Sequence, residues 1–154
     1  MRVDLICVGR LKERHWRDAA DEYLKRLTPY ARVRVVDIAD RDVSADEGRA
    51  LAAQAADVLR ALPEGAVVVA LDVDGTARSS EGFASWLDAR AVSGQSHVSF
   101  VIGGAAGLHR DVYAKVDERL SLGPMTLPHQ MARVVLLEQL YRAFRISRGE
   151  PYHR

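Results

Sequence analysis

Apolar positions recur along this chain in two periods. Residues 2–8 (Val3, Leu5, Ile6, Cys7, Val8) alternate and then run apolar, which predicts a strand. Trp16, Ala19, Ala20, Tyr23, Leu24 and Leu27 fall at helical spacing, so an amphipathic helix is expected over 13–27, ended by Pro29. Val33, Val35, Val36 and Ile38 predict a second strand, and Asp40 to Asp46 a polar loop. Leu51, Ala55, Val58, Leu59 and Leu62 mark a second helix, closed by Pro63 and Gly65. The run from Ala66 to Leu71 predicts a fully buried strand, after which Asp72-Val-Asp-Gly75 is expected to turn the chain. Ser79 or Ser80 caps a third helix that buries Phe83, Trp86 and Leu87. A fourth strand spans Val98 to Ile102, a short helix roughly 109–117, a last strand Leu120 and Leu122, and a final helix about 129–147. This alternation of strands and helices predicts a doubly wound α/β fold with a mostly parallel sheet. In the final helix Val134, Val135, Leu136 and Leu137 are consecutive, so it is apolar on more than one side and needs more than one neighbour.

With 154 residues the chain is read as one domain, 1–154, large enough to bury a core. No apolar run approaches the ~20 residues of a membrane span. The opening stretch, with Asp4 inside it, reads as a strand and not as a signal peptide. The lone cysteine, Cys7, lies in that strand and reads as a small core residue. A cytoplasmic location is the expectation, with no membrane partner. Net charge is only +1, but residues 10–34 carry eight Lys/Arg against four Asp/Glu, and 128–154 five against two. The middle, 35–127, carries eight against fourteen. Two basic ends imply a polyanion partner only if they meet in space.

Two loops carry the candidate chemistry. The strand Val98-Ser-Phe-Val-Ile102 ends in Gly103-Gly104-Ala-Ala-Gly107, and Ser121-Leu-Gly-Pro-Met-Thr-Leu-Pro-His129 leads into the final helix. Side by side at the carboxyl end of a parallel sheet, such loops form a ligand crevice. The glycines match neither the dinucleotide fingerprint nor a Walker motif. Their value is close backbone approach. With Leu71-Asp72 ending the neighbouring strand, the loops can pack an adenine against aliphatic side chains and read its edge with backbone groups. No metal site is expected, because His15, His97, His109, His129 and His153 show no ligand spacing. Ser121 and Thr126 have no His–carboxylate set. His129 reads as a cap or core contact, and Asp72 and Asp74 as turn formers. Arg142, Arg145 and Arg148 occupy neighbouring turns of the last helix, with Glu138 spaced to pair with Arg142. The chain ends Pro151-Tyr-His-Arg154, groups that stack on bases and hold phosphate.

On these residues the chain resembles the RlmH (YbeA-like) group of SPOUT methyltransferases, over nearly its whole length. The resemblance is carried by Val8-Gly9, Leu71-Asp72, Ile102-Gly103-Gly104-Ala-Ala-Gly107, Met125-Thr126-Leu-Pro-His129, Glu138-Gln-Leu-Tyr141-Arg142-Ala and Pro151-Tyr-His-Arg154. The chain departs at Ala106, where relatives often carry a larger or acidic residue, and at Gly123-Pro124, which makes the loop stiffer and less polar. The resemblance implies a SPOUT (α/β-knot) fold with a C-terminal trefoil knot, which sequence rules alone would not predict. It implies a homodimer that methylates N3 of a pseudouridine in a stem-loop of 23S ribosomal RNA, presented on the assembled ribosome. It places S-adenosyl-L-methionine against Leu71, Gly103, Leu122, Gly123, Pro124, Met125, Thr126 and Leu127. The tail of one subunit is expected to reach the other's pocket.

In that picture Arg142, Tyr152 and His153 are the expected catalytic residues, holding the pseudouridine while His153 or bulk water accepts the N3 proton. Arg154 and the N-terminal basic residues are expected to hold RNA phosphates. Two other classes stay open. A non-catalytic RNA-binding or ribosome-assembly factor would not need a cofactor pocket, and an ordinary doubly wound nucleotide enzyme would need the fingerprint that is missing.

Overall fold

The apolar runs are each short enough to cross one sheet, and the turn formers between them fix where the chain reverses. A computed structural model describes residues 1–42 and 44–152. Among these residues five strands form one sheet in the order β2-β1-β4-β3-β5, with every pairing parallel. They are β1 (Arg2–Val8), β2 (Arg32–Ile38), β3 (Val67–Ala77), β4 (His97–Ile102) and β5 (Glu118–Ser121). Between them run α1 (Arg14–Leu27), α2 (Glu47–Ala61), α3 (Ser80–Val92) and the four-residue α4 (Arg110–Tyr113), and α5 (His129–Ser147) follows β5. Side chains alternate across each strand. Val3, Leu5, Cys7, Val98, Phe100 and Ile102 therefore point to a core shared with α1, α3 and α5. Ile6, Val8, Val68 and Val101 point to a second core, shared with α2 and α4. Ser79 caps α3 as expected, accepting from the Gly82 amide (3.0 Å), and Asp46, at the end of the polar loop, caps α2 by accepting from the Arg49 amide (3.0 Å). No helix among the described residues is long and apolar enough to cross a membrane.

Three expectations need correction. Asp72-Val-Asp-Gly75 does not end the third strand. The chain bulges outward and rejoins, since Leu71 and Thr76 both align with Leu120 of β5. Asp72 Oδ1 accepts from the Asp74 amide (2.9 Å), so the turn chemistry is real but serves the bulge. Gly75 makes the return possible, because a Cβ there would lie 2.7 Å from the Arg119 carbonyl carbon. The helix expected over 109–117 is only α4; beyond it the Asp117 carboxylate accepts from the Val68 amide (2.8 Å) and ties the chain back to β3. The last strand starts earlier, at Glu118, and stops before Leu122.

The final helix has its several neighbours within the chain. Leu136, Leu137, Leu140 and Ala143 are buried between α1 and α3. Met131 and Val135 are not part of either core, and Met131 is exposed.

Candidate active site

Ladder geometry brings the carboxyl ends of β3, β4 and β5 together, and three loops leave from there. The bulge after Leu71, the glycine loop 103–107 and the loop 122–128 enclose a cavity of about 700 Å³. Leu71, Gly103, Leu122, Gly123, Met125, Thr126 and Leu127 all line it, as do Ile102 and Leu120. Pro124 is the one residue of the expected cofactor set that does not; it is exposed, with its neighbours on either side lining the wall.

The loops hold their shape for local reasons. Gly107 donates to the Gly104 carbonyl (3.0 Å), closing the glycine loop on itself. A Cβ at Gly103 would sit 2.9 Å from the Gly107 carbonyl carbon, so only glycine allows that closure. In the second loop the buried Ser121 hydroxyl accepts from the Gly123 amide and donates to the Gly123 carbonyl, both at 3.1 Å. Gly123 has φ +126°, a conformation other residues rarely adopt, which accounts for the glycine before Pro124.

One wall of the cavity carries a paired carboxylate. Asp72 accepts from Tyr113 Oη (3.0 Å) and Arg119 Nη1 (3.2 Å), and the Arg119 guanidinium lies 4.1 Å from the centre of the Tyr113 ring. The Asp74 amide first, then Tyr113 and Arg119, hold the Asp72 carboxyl below its ordinary range, so it stays ionised. Tyr113 and Arg119 were not singled out from sequence; only the bulge, invisible without β5, brings them to Asp72. His129 opens α5 but Pro128 occupies the cap position, and the imidazole lines the cavity against Gly9 instead. Cys7 is buried, and burial pushes its thiol up to about 12, as suits a core residue.

The tail residues form a separate cluster. Glu138 Oε1 accepts from Arg142 Nε (3.0 Å) and Nη2 (2.6 Å) and from Tyr152 Oη (2.7 Å). The Arg142 guanidinium lies 4.1 Å from the centre of the Tyr152 ring, which meets Tyr141 edge-on at 5.2 Å. Burial, then the Glu138 hydrogen bond, raise the Tyr152 phenol to about 12, so at neutral pH it is a donor and not a base. His153 and Arg154, expected to act beside them, lie outside the described residues. Arg142 is thirteen residues beyond His129 on α5, roughly 20 Å at 1.5 Å per residue. The cavity and the tail cluster are therefore not brought together within one chain.

The family described as "Predicted SPOUT methyltransferase" matches residues 1–153. The chain belongs to the RlmH family of SPOUT methyltransferases. Its relatives include proteins named "Ribosomal RNA large subunit methyltransferase H" from Listeria monocytogenes (45% identical) and Bifidobacterium animalis subsp. lactis (44%). Another from Carboxydothermus hydrogenoformans is 42% identical, and in all three the match covers 100% of both chains. As an RlmH-family member the protein is a methyltransferase with the parallel α/β sheet of the SPOUT fold. The other two classes weighed from sequence, a binding factor without catalysis and an ordinary nucleotide enzyme, give way to this one.

Proposed function

We propose that the protein transfers the methyl group of S-adenosyl-L-methionine to N3 of a pseudouridine in 23S ribosomal RNA, as a cytoplasmic homodimer acting on the assembled ribosome. The observation that carries this reading is the three-loop cavity, in a chain that matches end to end relatives named for methylation of large-subunit ribosomal RNA. The cavity suits the cofactor. Leu71, Ile102, Leu120 and Leu127 offer apolar surface for an adenine, and loop 122–127 offers backbone groups for its edge. Gly103, where a Cβ would collide with Gly107, keeps the glycine loop closed beside the cavity. Met125 is 83% exposed and Val73 51%, apolar side chains at the rim left uncovered among the described residues. The chain folded as one domain then acts with its carboxyl end threaded as a trefoil knot. That topology is supported by α5 leaving β5 at the sheet edge and starting against Gly9, just after β1, with β3 and β4 lying between.

The bound cofactor supplies an electrophilic sulfonium methyl, so the protein's own task is to hold and deprotonate the base. Arg142, oriented by Glu138, stabilises the negative charge that develops on the ring as the N3 proton leaves. Tyr152, protonated and stacked near Arg142, positions the base, and His153 or water takes the proton. Arg154 holds a phosphate. Arg142 reaches a cavity roughly 20 Å away only if it belongs to a second subunit. Two α5 helices packed antiparallel about residues 135–136 would set Arg142 of each near His129 of the other, burying Met131 and Val135 in a self-complementary contact.

The test is transfer of labelled methyl from S-adenosyl-L-methionine to ribosomes lacking the modification, followed by mapping of the labelled base. Label on N3 of a large-subunit pseudouridine is expected. Label on another base, or none, would overturn the assignment.

A further inference from the structure

The two basic ends of the chain do meet in space. Arg10, Lys12 and Arg17 from the first basic segment, and Arg133 from the second, line a cavity of about 590 Å³ between the β1–α1 loop, α1 and α5. Two carboxylates, Asp21 and Asp37, share it. The geometry points to a phosphate-binding subsite here, for the RNA backbone next to the nucleotide being methylated; this rests on the RNA substrate proposed above.

Arg133 is the informative residue. It is only 4% exposed, and it donates to Asp37 Oδ1 (2.9 Å) and to the Gly9 carbonyl (2.7 Å). A buried guanidinium is costly, and a helix that needed only packing here would carry a leucine. What it achieves is local. It cancels the charge of Asp37 on the cavity wall, which would otherwise repel a phosphate, and it fixes Gly9 at the start of the loop that carries Arg10 and Lys12. Arg17 fastens the other end of that loop by donating to the carbonyls of Leu11 (3.4 Å) and Lys12. Arg10 and Lys12 are exposed and make no ion pair among the described residues, so the loop is held while its two cations remain available. The cavity also lies in the right place. Ala132 lines the methyl-donor cavity and Arg133 lines this one, so only the width of one helix, roughly 10–12 Å, separates them.

The experiment compares wild type, Arg10→Gln/Lys12→Gln and the distant control Lys115→Gln. It measures binding to large ribosomal subunits and to their isolated RNA across salt, with methyl transfer and cofactor affinity alongside. Two lost phosphate contacts flatten the slope of log K against log salt by about 1.4 on single-stranded RNA and about 1.8 on duplex. Between 50 and 200 mM salt, the wild type is then expected to lose roughly 7- to 12-fold more affinity than the double variant. KM for ribosomes should rise while kcat, cofactor affinity and the oligomeric state stay put, and Lys115→Gln should match wild type. Equal salt slopes for double variant and wild type overturn the subsite. So does weakened binding to subunits with unchanged binding to isolated RNA, which would mean a protein partner. A wild type that binds this RNA but transfers no methyl refutes the function proposed above and leaves the salt comparison valid.

Discussion

Replacing Glu138 by glutamine should release the tail without disturbing the core. The carboxylate gathers two hydrogen bonds from Arg142 and one from Tyr152 on a single oxygen. Hydrogen bonds to charged groups contribute about 1.5–3 kcal/mol and neutral ones about 0.5–1.5, so the amide loses about 1 kcal/mol per bond. Only the Tyr152 bond joins the helix to the tail, because Glu138 and Arg142 both lie on α5 and stay neighbours when the tail undocks, so the docking loss is about 1 kcal/mol. That is roughly a 5-fold rise in the undocked tail. Arg145, which donates to the Pro151 carbonyl (2.6 Å), and the Tyr141–Tyr152 contact are untouched by the change and limit the release. Removal of Tyr152 by a carboxypeptidase tracks that open population when reclosing outpaces cleavage. Glu138→Gln should be trimmed roughly 5 times faster than wild type. The pH response has a defined sign. Burial pushes the Glu138 carboxyl up, but the Arg142 and Tyr152 hydrogen bonds outweigh it and hold it below its ordinary value of 4.5. The docking contribution is therefore complete above pH 4.5 and lost as pH falls through the folded-state value, so wild-type trimming should accelerate only on the acid side. Equal trimming of wild type and Glu138→Gln at neutral pH would refute the latch.

Other substitutions read out other parts of the account. Gly103→Ala places a methyl 2.9 Å from the Gly107 backbone; calorimetry should show at least tenfold weaker S-adenosyl-L-methionine binding, with a stability loss of about 1–3 kcal/mol by urea unfolding. Leu140→Ala, at a fully buried position of α5, should cost about 2–5 kcal/mol in the same assay. Cys7 should resist alkylation in the folded protein and react once denaturant exposes it, since its thiol is buried and raised to about 12.

Much of the fold was legible because β1, β4 and the first half of β3 are apolar runs bracketed by turn formers, and a run buried on both faces has few alternatives to a parallel sheet. The bulge at 72–75 was not. Asp-Gly reads as a turn that ends a strand, and nothing local says that β5 will come close enough to Gly75 for the chain to rejoin. The apolar spacing over 109–117 suited a longer helix, but Asp117 is claimed by the Val68 amide, a tertiary contact with a residue 49 positions away. For the site, glycines and small apolar residues located the cavity because close backbone approach leaves that signature. Pro124 was carried in with its neighbours and turned out to lie outside the wall. Tyr113, Arg119 and Arg133 stayed hidden because each looks like an ordinary surface residue until its distant partner, Asp72 or Asp37, is beside it.

The central claim is that one catalytic centre joins the cavity of one subunit to the Glu138–Arg142–Tyr152 cluster of another. The most direct test mixes two impaired proteins, Gly103→Ala with its tail intact and a chain truncated after Gly149 with its cavity intact, under conditions that exchange subunits and at an S-adenosyl-L-methionine concentration that loads the wild-type cavity but not the Gly103→Ala one. Random pairing makes half the dimers mixed, each with one complete composite site, so methyl transfer should recover to about a quarter of wild type. Mixtures no more active than their parents, with mixed dimers present by mass spectrometry, would contradict the claim.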